Sequence, residues 1–146
     1  MTQSRARVLF VDDEISFLET LVKRMTKRGV NVHGVGSGQA ALDYMASHAV
    51  DVVVLDVRMP GMDGLEVLKH IKDKWPLAEV ILLTGHACVS SAMDFMALGA
   101  FDYMMKPVEL QRLIFKIEDA YDKVMLKQKK QKQGGREPKP HPYAQP

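Results

Sequence analysis

Five polar residues of this chain close short apolar runs or follow directly on them, and their types belong to one chemistry. Asp12 and Asp13 come after Val8-Leu9-Phe10-Val11, and Asp56 comes after Val52-Val53-Val54-Leu55. Thr84 follows Val80-Ile81-Leu82-Leu83, and Lys106 follows Phe101-Asp102-Tyr103-Met104-Met105. Carboxylates brought within a few ångströms of one another repel, and removing them from water without a partner is costly. A hard divalent cation relieves both effects, and Mg²⁺ takes its oxygen ligands from a few carboxylates, waters and phosphate. A hydroxyl and an ammonium beside that cation are donors to a second anion, and a phosphoryl group uses both. Together the five describe a Mg²⁺-dependent phosphoryl site in which a carboxylate is the acceptor.

They meet if the apolar runs are parallel strands of one sheet, because parallel strands bring all their carboxyl ends to one edge. Val52 to Leu55 reads as a strand buried on both faces, ending in Asp56 where the chain reaches that edge. Pro60, Gly61 and Gly64 then turn the chain, and helical spacing resumes from Leu65 to Ile71. After the first strand, Leu18, Leu21, Val22 and Met25 share one helical face, and Gly29 is placed to end that helix in a left-handed cap. Val30 and Val32 alternate with Asn31 and His33, which predicts an edge strand with one wetter face. Ser37 is the expected cap of a helix burying Ala41, Leu42 and Met45. The fourth strand leads to a helix carrying Met93, Met96 and Ala97 and capped at Gly99; Met93 and Met96, with Met104 and Met105 of the fifth strand, are expected for the most part to fill core space. The last helix places Leu110, Leu113, Ile114, Ile117, Tyr121 and Val124 on one face. Strand and helix alternate five times, which predicts a parallel sheet with right-handed crossovers and helices on both faces.

A chain of 146 residues, 47% hydrophobic and 26% charged, has the size and composition of a single globular domain with a proper core. A single cysteine, Cys88, excludes an internal disulfide framework, and no apolar run approaches a membrane span. A cytoplasmic protein is expected. The net charge of +2 is unevenly spread: residues 127–146 carry six Lys/Arg against one Glu. The expected division is a domain over residues 1–126 and an extension over 127–146. In that extension helix formers without an apolar face run to Gln133, Gly134-Gly135 stops them, and a Pro-rich disordered tail follows. The basic helical segment is expected to project from the domain as a frayed end.

Asp12-Asp13, Asp56 followed by Met59-Pro60-Gly61-Met62-Asp63-Gly64, Thr84 and Lys106-Pro107 resemble the signature of response-regulator receiver domains of two-component signalling. The resemblance covers residues 7–125, with its matched positions in order on five strand–helix units. It implies a flavodoxin-like α/β fold, a doubly wound (βα)5 sheet of five parallel strands ordered 2-1-3-4-5. It implies that Asp56 is the phosphorylated residue and that Asp13, Asp56 and the backbone carbonyl of Arg58 bind Mg²⁺, with Asp12 acting through water. Thr84 would hydrogen-bond the phosphoryl group, Lys106 would pair with it, and Tyr103 would be the aromatic switch that swings inward as Thr84 moves. A cis Lys106–Pro107 bond is implied too. So is a role for Arg58 and His86, which would border the path of the water that hydrolyses the aspartyl phosphate.

By this resemblance the phosphoryl donor is a sensor histidine kinase or a phosphotransfer protein. The chain is a phosphoacceptor that assists its own phosphorylation and dephosphorylation rather than an enzyme, and it signals to a partner protein as a monomer or a phosphorylation-linked dimer. A place as intermediate acceptor in a multistep phosphorelay is the alternative. A flavodoxin-type electron carrier fits poorly, since Asp12-Asp13-Glu14 would repel a cofactor phosphate. A hydrolase turning over through an aspartyl phosphate would be told apart by steady phosphate release. The residues after Leu126 are too few for a helix-turn-helix, so no DNA-binding domain and no membrane segment are expected in this chain.

Overall fold

In the computed structural model the described residues are 5–57, 63–85 and 89–136. The elements follow in the order β1 (Arg7–Val11), α1 (Ile15–Lys27), β2 (Asn31–Val35), α2 (Gly38–Ser47), β3 (Val52–Asp56), α3 (Gly64–Lys74), β4 (Glu79–Thr84), α4 (Val89–Ala97), β5 (Asp102–Met105) and α5 (Leu110–Arg136). The strands are all parallel and lie in the order β2-β1-β3-β4-β5. This is the flavodoxin-like doubly wound sheet, with β2 at an edge as its wetter alternation requires.

The period of two along a strand sorts the core into two layers. Val8, Phe10, Val52, Val54, Ile81 and Leu83 face α1 and α5, where they pack with Leu18, Leu21, Met25, Leu113 and Ile117. Leu9, Val11, Val53, Leu55, Val80 and Leu82 face the other way, onto Ala41, Met45, Val67, Leu68, Ile71 and Phe95 of α2, α3 and α4. Every residue of β3 and β4 is buried, as central strands covered on both faces must be. Each fully buried Leu, Ile or Val contributes about 1.5–3 kcal/mol, so these layers hold the sheet rigid beneath whatever its upper edge carries.

The helix ends follow local chemistry. Ser37 Oγ accepts from the Ala40 amide at 3.0 Å, as its cap position predicts. Gly29 and Gly99 adopt φ of 86° and 99°, the left-handed turn expected after α1 and α4. At the start of α3, Asp63 and Glu66 form a reciprocal capping box.

Two expectations need correction. In α4 it is Phe95 that is buried, while Met93 and Met96 are exposed, as is Met105 of β5. Among the described side chains of α4, Phe95 takes the inward position. The basic end of α5 is tethered to the domain at its first residue, Lys127, and the stop expected at Gly134-Gly135 does not occur. The helix continues through Gly134 and Gly135 to Arg136, and Lys127 Nζ donates to Pro76 O at 3.1 Å and pairs with Glu79. The cause is Glu79, which is 1% exposed at the start of β4 and has Lys72 at 4.0 Å and Lys123 at 3.7 Å as further partners. A buried carboxylate left unpaired is costly, so it draws these lysines inward. The tail expected to be disordered lies, from residue 137 on, outside the described residues. No helix among the described residues is long and apolar enough to cross a membrane.

Candidate functional site

The register of the sheet assembles the site. Val11 lies opposite Leu55, so the next residues, Asp12 and Asp56, leave their strands at the same level. Asp56 lies opposite Leu83, which sets Thr84 one step beyond it, and Thr84 lies opposite Met105, which sets Lys106 one step further. Backbone bonds continue the sheet into these loops: Asp12 N donates to Val35 O at 3.1 Å, Val57 N to Leu83 O at 3.0 Å and Lys106 N to Thr84 O at 2.8 Å. The Lys106–Pro107 peptide bond is cis.

Asp12, Asp56 and Thr84 are buried and Asp13 is exposed. Carboxylate oxygens of Asp12, Asp13 and Asp56 all lie within 4.8 Å of one another. Asp12 is oriented from two sides, its Oδ1 accepting from the Glu14 amide at 2.9 Å and its Oδ2 from Lys106 Nζ at 2.9 Å. Lys106 Nζ also reaches Asp56 Oδ2 at 3.6 Å and Glu14 Oε1 at 3.8 Å. Burial pulls the Lys106 ammonium down, but the Asp12 hydrogen bond and the charges of Asp12, Asp56 and Glu14 outweigh it and hold its pKa above the ordinary lysine value. Lys106 therefore stays a cation in this setting.

The donor set fits a hard divalent cation. Among the described residues three carboxylates meet at one edge beside the ammonium of Lys106, a set of oxygen donors that a hard cation such as Mg²⁺ matches. Asp12, Asp13 and Asp56 are the residues that would hold it. The expected fourth contributor, the carbonyl of Arg58, lies outside the described residues, as does His86.

Tyr103 is on β5 with 37% of its surface exposed, so its side chain stands toward solvent rather than in the acidic cluster. Two contributors were not singled out in the sequence. Glu14 adds a fourth carboxylate near Lys106, and its place next to Asp12-Asp13 was the available signal. Phe17 puts its ring 4.4 Å from Lys106 Nζ, and nothing in the spacing of residues so far apart marks that contact. Gly64, at the start of α3, lets the chain pass against Val57: a Cβ there would fall 2.7 Å from the Val57 oxygen.

Comparison with known proteins agrees with this geometry. The family described as the response regulator receiver domain matches residues 8–118. The DNA-binding transcriptional regulator NtrC of Escherichia coli K12 is 36% identical over 116 residues, covering 80% of this chain and 25% of that protein. The regulatory protein AtoC of the same organism is 38% identical over 107 residues, covering 73% of this chain and 23% of that one. The chain thus spans about a quarter of the length of these curated relatives. Among solved structures, a response regulator receiver domain protein from Clostridium thermocellum superposes with a TM-score of 0.78 at 33% identity, covering 83% of this chain and 98% of that one. NtrX from Brucella abortus gives a TM-score of 0.80 at 29% identity, covering 86% of this chain and 29% of that one. With the acidic cluster, the lysine beside it and the strand order all in agreement with these matches, the chain belongs to the response regulator receiver domains.

Proposed function

We propose that Asp56 accepts a phosphoryl group in a Mg²⁺-dependent reaction from a sensor histidine kinase or a phosphotransfer protein of the cytoplasm, and that the phosphorylated state is read by a partner protein. The observation that carries this reading is the meeting of Asp12, Asp13 and Asp56 within 4.8 Å, with Lys106 Nζ shared between Asp12 and Asp56. Asp56 ends the central strand, held in place by a fully buried core, so its carboxylate is a positioned nucleophile.

In the transfer, a bond forms from an Asp56 carboxylate oxygen to phosphorus while the bond from phosphorus to the donor nitrogen breaks. The departing imidazole takes up a proton from solvent. Such a transition state is loose and in line, so the site has to position the reactants and neutralise charge on the equatorial oxygens. Asp12, Asp13 and Asp56 would hold Mg²⁺, which when bound would supply part of that charge. Lys106 supplies another part by moving from Asp12 to a phosphoryl oxygen, and the Thr84 hydroxyl donates to a third. Contacts made only after phosphorylation bias the domain toward the conformer able to make them. Tyr103 is then the aromatic group that turns inward. Tyr103, Met105 and Phe115 are exposed and line one open pocket between β5 and α5, an apolar surface suited to a partner.

The test is intact-mass measurement after incubation with acetyl phosphate. Phosphorylation is expected with Mg²⁺, is expected to be lost on chelation, and is expected to be absent from Asp56→Asn. Equal phosphorylation of that variant would overturn the assignment.

A further inference from the structure

The ammonium of Lys106 has two kinds of neighbour. On one side stand the carboxylates of Asp12, Asp56 and Glu14, at 2.9, 3.6 and 3.8 Å. On the other is the ring of Phe17, with its centroid 4.4 Å from Nζ. Phe17 lies in the first turn of α1, partly buried against the core layer beneath that helix. Its ring meets Phe10 of β1 edge-on, with centroids 6.2 Å apart at 67°, and Phe10 is fully buried. The ring is therefore braced by the sheet and is not a mobile surface group.

A lysine on a flexible stem has several places to go here. Glu14 is well exposed and would draw the ammonium out toward solvent, where it would serve neither Asp12 nor a group on Asp56. An aromatic face attracts a cation within about 6 Å of its centroid without taking a hydrogen bond from it. The ammonium keeps its N–H donors for Asp12 in the resting domain and for a phosphoryl oxygen afterwards. A π face is also tolerant of sideways motion, so the cation can shift between those two acceptors while staying over the ring. A carboxylate in the place of Phe17 would bind the ammonium harder and hold it back.

We propose that Phe17 is a positioning residue for phosphoryl transfer, holding the Lys106 ammonium between Asp12 and Asp56 through its ring face. The inference rests on the reading of Asp56 as phosphoacceptor. It concerns a residue of α1 outside the acidic pair, the threonine and the lysine.

The experiment compares the unmutated chain with Phe17→Leu, which keeps apolar bulk without a π face, and Phe17→Tyr, which keeps the face. Initial rates of Asp56 phosphorylation are measured against acetyl phosphate concentration at saturating Mg²⁺. Phe17→Leu is expected to lower the maximal rate about three- to tenfold with little change in half-saturation, the range of a partly desolvated cation–π contact. Phe17→Tyr is expected within about twofold of the unmutated chain, since the face is retained. The same Leu substitution in a Lys106→Met background is expected to have no further effect, because the ring acts through the lysine. Independently of activity, the Lys106 ε-methylene protons are expected to show a ring-current shift that Phe17→Leu abolishes. Equal rates for Phe17→Leu and the unmutated chain would overturn the proposal, as would an undiminished loss in the Lys106→Met background. If the unmutated chain took no phosphoryl group on Asp56, the reading of the site would itself fall. If it did and the Leu variant matched it, only the role of Phe17 would.

Discussion

Lys106 shows how one residue ties stability to chemistry in this fold. It is the cation that Asp12 meets in the resting site, and Asp12 has no exposed surface while the Lys106 side chain is 18% exposed. Removing one partner of a buried pair costs about 3–5 kcal/mol, and the residual exposure of Lys106 moves the expectation to the lower end of that range. Lys106→Met should therefore be destabilised in urea, and added Mg²⁺ should restore more stability to it than to the unmutated chain, since the cation neutralises the same carboxylates. An equal Mg²⁺ response of the two proteins would contradict this. The pH dependence has a definite sign. The folded state holds the Lys106 proton more tightly than the unfolded chain, whose value is near 10.5, so the contribution is fully present below 10.5 and is lost as pH rises through the higher folded value. Alkaline melting curves of the two proteins should accordingly converge above 10.5, and curves that stay parallel would contradict the pairing.

At the scale of the element, the turn from β3 into α3 decides where Asp56 points. Gly64 N donates to Val57 O at 3.2 Å, and a Cβ on Gly64 would fall 2.7 Å from that oxygen and 2.8 Å from the Val57 Cα. Both are backbone atoms and cannot swing aside as a flexible side chain can, so the strand end itself has to shift. Gly64→Ala is expected to cost about 1–3 kcal/mol, the range for overpacking, and to slow phosphorylation because Val57 follows Asp56 directly. Gly85, after β4, is the internal control, since among the described residues a Cβ there meets nothing within 4 Å. Gly85→Ala is expected to be neutral or to stabilise by up to about 1 kcal/mol through the unfolded chain. Equal urea midpoints for the two variants would show that the close approach at Gly64 is not a constraint. The capping box of Asp63 and Glu66 acts at the same turn, fixing the first residues of α3 against fraying.

At the scale of the molecule, the sheet has a polar cluster at each end. The upper edge carries the acidic site, and the lower edge carries Glu79 among Lys72, Lys123 and Lys127. Among the described residues neither Glu79 oxygen has an aligned hydrogen bond, and its partners are the charges of Lys72, Lys123 and Lys127. Burial sets the Lys72 ammonium below its ordinary value, Glu79 opposes that shift, and the charges of Lys127 and Lys123 add to it. Its linkage is therefore opposite in sign to that of Lys106: it weighs against the folded state below its folded value and is relieved as pH rises toward 10.5. Glu79 joins α3, β4 and α5 through Lys72, Lys123 and Lys127, so the start of the extension beyond Val124 is tied to a residue of the core sheet. In Glu79→Gln, amide hydrogen exchange from Lys127 to Lys132 is expected to quicken while α1 and β1 keep their protection. Unchanged exchange in that segment would mean that the extension is held by something other than this carboxylate.

The local pattern of the chain determined the ten elements, the buried central strands, the caps at Ser37, Gly29 and Gly99, and the polar residues brought to one edge. Those follow from periodicity, run length and turn residues, which act between near neighbours. The parallel sheet was legible in the same way, but its order 2-1-3-4-5 was not, since alternation of strands and helices admits several orders and only the family resemblance chose one. The partners of the functional groups lay further out of reach. The Lys106–Asp12 bond joins residues 94 apart, and the ring beneath that ammonium comes from a third element. Glu79 reads as an ordinary charged residue before a strand until α3 and α5 bring three lysines to it. The sequence likewise assigned Met93, Met96 and Met105 to the interior, because a methionine on a helix or strand carries no mark of which face its neighbours will cover. Those contacts depend on how separate elements pack, and a carboxylate or a methionine takes its role from what the packing leaves beside it.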